Sequence, residues 1–392
     1  MNILMAHNFY QQPGGEDQSF GAEAGVIESN GHQVIRHTVH NEVIERIGSA
    51  QAAMFTVWNS SSARTIARLI ERNKVNIAHF QNTFPLISPA AYYAAQRKGA
   101  TVIQSLRNYR LICANALLFR QGQICESCVG RAVPWAGIQK ACYRGSRAGS
   151  AVVGTMLSSH RLLGTYQQQV DIYIAVSEFV KQKYVQAGFN PEQIVVKPNF
   201  VTPDPGMGQG SGQYALFVGR LSEEKGVATL LRAWATVGRH LPLRIVGDGP
   251  LEPAVQEATK QSSIEWLGRK SPQEVYDLMG QASVVVVPSE WYEPFGRVVV
   301  EAFAKGTPVI ATSTGGITEL VEHGRTGLLY PPGDAAALVQ QVEWLCNHPE
   351  SLAAMRYEAR REYEAKYTAE RNYQMLMDIY QLAIERNKER RK

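Results

Sequence analysis

The chain has 392 residues, 45% of them hydrophobic and 19% charged, with a formal net charge of +5. That length exceeds one ordinary hydrophobic core and favours two domains, and the composition excludes a disordered or fibrous chain. The longest apolar runs, 283–288 and 298–304, fall far short of the roughly 20 residues a membrane-crossing helix needs. Basic residues are scattered rather than gathered with aromatics into a stripe, which argues against a nucleic-acid partner. The chain opens on Met1-Asn2-Ile3-Leu4-Met5 without a basic region or small-residue cleavage site, so a cytoplasmic location is expected.

From the start, short apolar runs alternate with amphipathic segments: 3–6, then 19–30; 34–36; 64–73; 77–80; 89–98; 101–105. The alternation predicts a parallel sheet wrapped by helices. Gln12-Pro13-Gly14-Gly15-Glu16 follows the first strand, where small glycines allow close backbone approach and the next helix can turn its N-terminus to a phosphate. A plain turn is the other reading. The insertion 107–145 holds four of the five cysteines, Cys113, Cys125, Cys128 and Cys142. One Cys-x2-Cys hinge with two outer thiolates has the spacing of a structural zinc site; four reduced thiols without metal are the alternative, since a cytoplasmic chain disfavours disulfides. Strand 171–176, helix 178–187 and strand 194–197 close the first half.

Residues 202–212, Thr-Pro-Asp-Pro-Gly-Met-Gly-Gln-Gly-Ser-Gly, are too rich in Pro and Gly for a regular element and read as a linker. Beyond it come strand 215–218, helix 227–237, strand 243–246, helix 251–261, strand 264–267, helix 272–281, strand 283–288, helix 296–305 and strand 309–312. The predicted fold is therefore α/β, with two Rossmann-like doubly wound domains at 1–201 and 213–369 facing a central cleft. A last helix over 370–392 carries Met375, Met377, Ile379, Tyr380 and Leu382 at helical spacing and is expected to pack back. Its basic end reads as a solvated terminus or as a peripheral contact with an anionic membrane face.

The most informative run is Pro288-Ser-Glu-Trp-Tyr-Glu-Pro-Phe-Gly-Arg-Val-Val-Val-Glu301. Glu293 leaves a buried strand and Glu301 sits about two turns inside the next helix, so one carboxylate can hold sugar hydroxyls while the other holds a ribose. A cap and a surface charge are the plainer alternative. Pro294, Phe295 and Gly296 fall at the helix start, where open backbone N–H groups suit an oxygen-rich ligand. Upstream, Gly219-Arg220-Leu221-Ser-Glu-Glu-Lys225-Gly226 sets two cations five residues apart. Arg grips phosphate oxygens through its planar fork and Lys acts as a mobile point charge, which suits a leaving diphosphate; surface salt bridging to Glu223 and Glu224 is the alternative.

Together with Gly247-Asp-Gly-Pro250, Trp266-Leu-Gly268 and Thr314-Gly-Gly-Ile-Thr-Glu319, these runs resemble the family 4 retaining glycosyltransferases, which have the GT-B fold. The resemblance is strongest over residues 215–332. It implies transfer of a sugar, with retention at the anomeric carbon, from a nucleotide-diphosphate donor, a UDP- or GDP-sugar, to a glycan, lipid-linked or small-molecule acceptor in polysaccharide or glycoconjugate synthesis. Arg220 and Lys225 match the family's diphosphate cations, Glu293 the glutamate at the donor sugar and Glu301 the one that holds the ribose, with the backbone of 294–296 also touching the sugar. Gly14 and Gly15 match its glycine loop. No divalent metal or other cofactor is implied for catalysis, and no Asp-x-Asp pair stands in the chain. Where the family frequently carries a histidine, this chain has Arg107, which is assigned to acceptor or sugar recognition together with His79. His7 and His160 are further candidates, and each histidine reads equally as a core or surface residue. A sugar-nucleotide epimerase, a phosphorylase, and a non-catalytic sugar-nucleotide-binding subunit are the competing functions.

Overall fold

The computed structural model describes residues 1–11, 14–260 and 263–391. The chain forms two compact units. One comprises Met1–Leu118, Glu126–Pro198 and Asn372–Lys392, the other Phe119–Cys125 and Asn199–Arg371.

The first unit is built on β1 (Asn2–Phe9), β2 (Gln33–His40), β3 (Ile77–Asn82) and β4 (Thr101–Leu106). After the short hairpin of β5 (Phe119–Arg120) and β6 (Gln123–Ile124), which belongs to the second unit, come β7 (Ile172–Ala175) and β8 (Ile194–Val196). The six-stranded sheet has the order β2-β1-β3-β4-β7-β8, and each neighbouring pair is parallel. β3 and β4 are central strands buried at every residue, polar ones included: His79, Gln81, Asn82, Thr101, Gln104 and Ser105 are all enclosed. Helix Gly15–Ser29 starts four residues before the predicted segment, because the Gly14 amide donates to Asp17 Oδ2 at 2.8 Å and caps it. Of the glycine loop, Gln12 and Pro13 lie outside the described residues. Helices Val43–Val57 and Ser60–Asn73 replace the single segment 64–73. Ser60–Ser62 form the start of the second helix, with Asn59 Oδ1 accepting from the Ser61 and Ser62 amides at 3.0 Å.

Helix Ala369–Arg390 adds Leu376, Ile379, Tyr380 and Ala383 to the core of this same unit, beside Ile3, Met5, Phe20, Ile27 and Ile103. Its basic end lies on protein: Arg390 pairs with Asp171 at 3.0 Å and Arg391 donates to the Gln96 carbonyl at 3.1 Å. Among the described residues no helix is long and apolar enough to cross a membrane.

The second unit carries β9 (Ala215–Val218), β10 (Leu243–Val246), β11 (Ile264–Trp266), β12 (Val284–Val287), β13 (Val309–Thr312) and β14 (Gly327–Tyr330). Its parallel sheet runs β11-β10-β9-β12-β13-β14, the Rossmann order, and strand order reverses between β9 and β12, where such sheets bind ligands at their carboxyl ends. Both predicted Rossmann-like α/β domains are present. β12 is four valines, all buried, as suits a central strand of β-branched residues. Helix Glu252–Ala258 is shorter than the predicted 251–261, whose last residue, Gln261, lies outside the described residues. The Pro/Gly run is stitched to this unit. The amides of Gly208, Gly210 and Gly212 donate to the carbonyls of Lys305, Gly280 and Gln281 at 2.9, 2.8 and 2.9 Å, and Arg360 pairs with Asp204 at 2.6 Å. Gly210 has φ +68, a left-handed conformation that favours glycine, and a Cβ there would lie 2.4 Å from Arg356 Cζ.

Candidate active site

The reversal point of the second sheet gathers the predicted motifs. β9 runs into Gly219–Gly226 and β12 into Pro288–Gly296, and the two loops press together. Glu290 N–H donates to the Glu224 carbonyl at 2.9 Å, and Thr229 Oγ1 donates to Glu290 Oε1 at 2.5 Å. Gly226 has φ +69, and a Cβ there would stand 1.8 Å from the Pro288 carbonyl oxygen. The Gly247–Pro250 run closes on the first loop, since the Leu221 amide donates to the Asp248 carbonyl at 2.8 Å, while Trp266 Nε1 donates to the Gly247 carbonyl at 3.0 Å. Gly315 backs the second: its φ is +60, a Cβ would meet the Glu293 backbone at 2.6 Å, and the Gly316 amide donates to the Glu293 carbonyl at 2.7 Å.

This packing brings Lys225 and Glu293 into direct contact. Lys225 Nζ lies 2.6 Å from Glu293 Oε2, which also accepts from Trp291 Nε1 at 3.0 Å and Ser289 Oγ at 3.2 Å. The ammonium sits 5.2 Å from the Trp291 ring centroid, within cation–π range. Arg220 is exposed, and its guanidinium has no partner among the described residues. Pro294, Phe295 and Gly296 are buried, and Gly296, at φ +89, is the N-cap of helix Arg297–Ala304. One turn inside that helix, Glu301 Oε1 accepts from Arg297 Nε at 2.7 Å. Burial, with the Glu301 charge nearby, pushes the Tyr276 phenol up to about 12. The arrangement presents a free guanidinium, a shared ammonium and two half-buried carboxylates at one sheet end, suited to an anionic ligand carrying hydroxyls.

The first-unit candidates are placed differently. His79 is fully buried, with Nδ1 2.9 Å from Tyr380 OH and Nε2 2.9 Å from Ser105 Oγ. Burial is the main cause that pushes its pKa down to about 4, with Glu23 pulling upward and Lys197 and Arg107 adding to the fall. His79 sits in the core, with both ring nitrogens within hydrogen-bond distance of other side chains. Arg107 donates to Gln81 Oε1 at 2.9 Å and to Glu23 Oε2 at 3.1 Å, and Lys197 Nζ lies 2.8 Å from the other Glu23 oxygen. Burial raises the Glu23 carboxyl, but Lys197 and Arg107 outweigh it and hold the group far below the usual carboxylate range. Arg107 is thus committed to a buried network rather than to open surface. His7, also buried, has Nε2 2.7 Å from Asp17 Oδ1, and His160 lies 2.9 Å from Thr165 Oγ1 and from the Val57 carbonyl. Gly14 and Gly15 stand at the start of helix Gly15–Ser29.

The four cysteines expected to hold zinc are placed as follows. Among the described residues no group of three or more His, Cys, Asp or Glu could hold a metal ion. The Cys113 thiol donates to Asn115 Oδ1 at 2.9 Å, and Cys142 packs against an apolar cluster with Phe84, Met156 and Leu157. Cys125 belongs to the second unit and Cys128 to the first.

Two features escape a reading of the sequence. The Glu23 network had a signal, because Phe20, Glu23, Ala24 and Ile27 share the buried helix face, so a carboxylate there requires a cation. The Trp291 and Ser289 donors had none beyond their nearness to Glu293 along the chain.

Residues 209–362 match the family Glycosyl transferases group 1. The fold is similar to that of HepE from Anabaena, whose crystal structure in complex with UDP and glucose superposes with a TM-score of 0.67 at 17% identity, covering 96% of this chain and 98% of that one. In sequence, the chain is 28% identical to an uncharacterized 42.6 kDa protein in the cps region of Klebsiella pneumoniae, across 68% of this chain and 65% of that protein. It is 32% identical to an uncharacterized glycosyltransferase of Methanocaldococcus jannaschii, across 54% and 59%. The chain thus spans less than two thirds of the length of these curated relatives.

Proposed function

We propose that the protein is a retaining, metal-independent glycosyltransferase that moves a sugar from a nucleoside-diphosphate donor to a glycan, lipid-linked or small-molecule acceptor in polysaccharide or glycoconjugate synthesis. The observation that carries the reading is the Lys225–Glu293 contact at 2.6 Å beside the unpartnered Arg220, at the strand-order reversal of a group 1 domain. Support for a UDP-sugar comes from HepE, whose structure contains UDP and glucose.

In this mechanism Arg220 and Lys225 bind the diphosphate, Glu293 the donor sugar and Glu301 the ribose, with the Pro294–Gly296 backbone against the sugar. The bond between the anomeric carbon and the diphosphate oxygen breaks, and its electron pair leaves with the nucleoside diphosphate. The two cations stabilise the charge that develops. The acceptor hydroxyl oxygen bonds to the same face of that carbon, and its proton passes to the departing phosphate oxygen.

The test screens UDP, GDP and ADP sugars for thermal stabilisation. Transfer from the radiolabelled donor that stabilises is then followed, with the product anomer read by NMR. Retained configuration is expected. Inversion overturns the mechanism, and an absence of stabilisation by every donor overturns the substrate class.

A further inference from the structure

Three donors converge on one oxygen of Glu293. Oε2 receives Lys225 Nζ at 2.6 Å, Trp291 Nε1 at 3.0 Å and Ser289 Oγ at 3.2 Å, while Oε1 accepts nothing from the described residues. The three are not equivalent when an anion arrives. Lys225 is a charged, flexible side chain with a quarter of its surface exposed, and a diphosphate competes with a single carboxylate for it. Trp291 and Ser289 are neutral and buried, so a phosphate exerts no comparable pull on them. The Trp291 ring also lies beneath the ammonium, 5.2 Å from centroid to Nζ, which gives that charge a resting place between carboxylate and ligand.

We infer that Trp291 is a positioning residue: its indole N–H holds Glu293 Oε2 after Lys225 turns to the diphosphate, keeping Oε1 directed at a hydroxyl of the donor sugar. The inference rests on the donor-site reading above and adds to it a residue that touches neither phosphate nor sugar. Its backbone fits the part, since the Trp291 carbonyl accepts from the Glu293 amide at 2.8 Å and fixes the turn between them. The prediction is a separation of effects. Binding of the diphosphate does not depend on the indole N–H, and the added grip on the sugar does.

Trp291→Phe keeps the ring and removes the donor. Calorimetry measures the dissociation constants of UDP and UDP-glucose, and of the GDP and ADP pairs in turn, for the wild type, W291F, Glu293→Ala and the double variant. In W291F the nucleoside diphosphate should bind within about twofold of wild type, while the extra affinity conferred by the sugar falls about tenfold or more, the worth of one hydrogen bond to a charged group. Adding W291F to E293A should change that extra affinity no further, because the indole acts through the carboxylate. An unchanged sugar increment in W291F, an equal loss for both ligands, or a W291F effect that persists in E293A would overturn the role. So would a wild-type protein that binds nucleoside diphosphates but gains nothing from the sugar. A wild-type protein that binds none of the three nucleotides removes the donor reading itself.

Discussion

Glu23 and Glu293 each receive an ammonium at hydrogen-bond distance, 2.8 and 2.6 Å away, yet they sit in opposite surroundings. The Glu23 and Lys197 side chains are 1% and 2% exposed and a second cation, Arg107, closes the network; Glu293 and Lys225 are 13% and 26% exposed with an unpartnered Arg220 in the same loop as the lysine. In the first unit one carboxylate and two cations are packed together out of reach of water, so the network holds helix Gly15–Ser29, the end of β8 and, through Asn372, the last helix together. In the second unit the same chemistry is left accessible, so it can be redirected to a ligand. Exposure, rather than the identity of the paired residues, separates scaffold from site.

The strongest challenge to this contrast is Glu23→Ala. It leaves two buried cations unpaired and should cost about 3–5 kcal/mol, read by denaturant unfolding; a loss as small as that of a surface pair would erase the distinction. Lys225→Ala should act the other way, lowering turnover roughly 100-fold, or about 2.7 kcal/mol of barrier, while the unfolding midpoint stays near wild type. Gly226→Ala tests whether the cation and carboxylate loops must touch. Its positive φ and the 1.8 Å approach to Pro288 predict a loss of about 1–3 kcal/mol in stability. His79 sharpens the buried side. Its folded pKa of about 4 lies below the unfolded value of 6.5, so the unfolded chain takes up the proton first. The contribution of His79 to stability is complete above pH 6.5 and is lost as pH falls toward 4, by up to about 1.4 kcal/mol per pH unit. His79→Gln should flatten that slope in unfolding curves measured across the window. The smallest effect belongs to Asp204→Ala, which removes a pair with a half-exposed aspartate and should cost under about 1 kcal/mol.

The second half is more legible than the first for a physical reason. Runs such as Val284–Val287 and Val309–Thr312 are short, apolar and bounded by Pro or Gly, so period and punctuation agree. The loops after β9 and β12 follow, because only glycine fits at 226 and 315. What the pattern does not carry is partnership. Nothing in the spacing of residues 225 and 293 says that they touch, and Arg107 and His79 read as ligand contacts only through the resemblance, Arg107 standing where the family frequently carries a histidine and His79 being a substitute for it. Packing of the last helix, which begins at Ala369 far along the chain, encloses both: Tyr380 bonds His79, and Asn372 bonds Lys197, which shares Glu23 with Arg107. The cysteine spacing has the same limit, since it fixes separation along the chain and leaves separation in space open.

The discontinuity of the first unit bears on how the molecule is made. Leu376, Ile379, Tyr380 and Ala383 complete a core whose other members, from Ile3 to Ile174, are translated long before them. On the ribosome the earliest segment therefore waits with part of its apolar surface uncovered until the final helix emerges, whereas the residues from Asn199 to Arg371 can settle as they appear. A nascent chain stalled before residue 369 should offer that surface to a chaperone, and release of the last stretch should withdraw it.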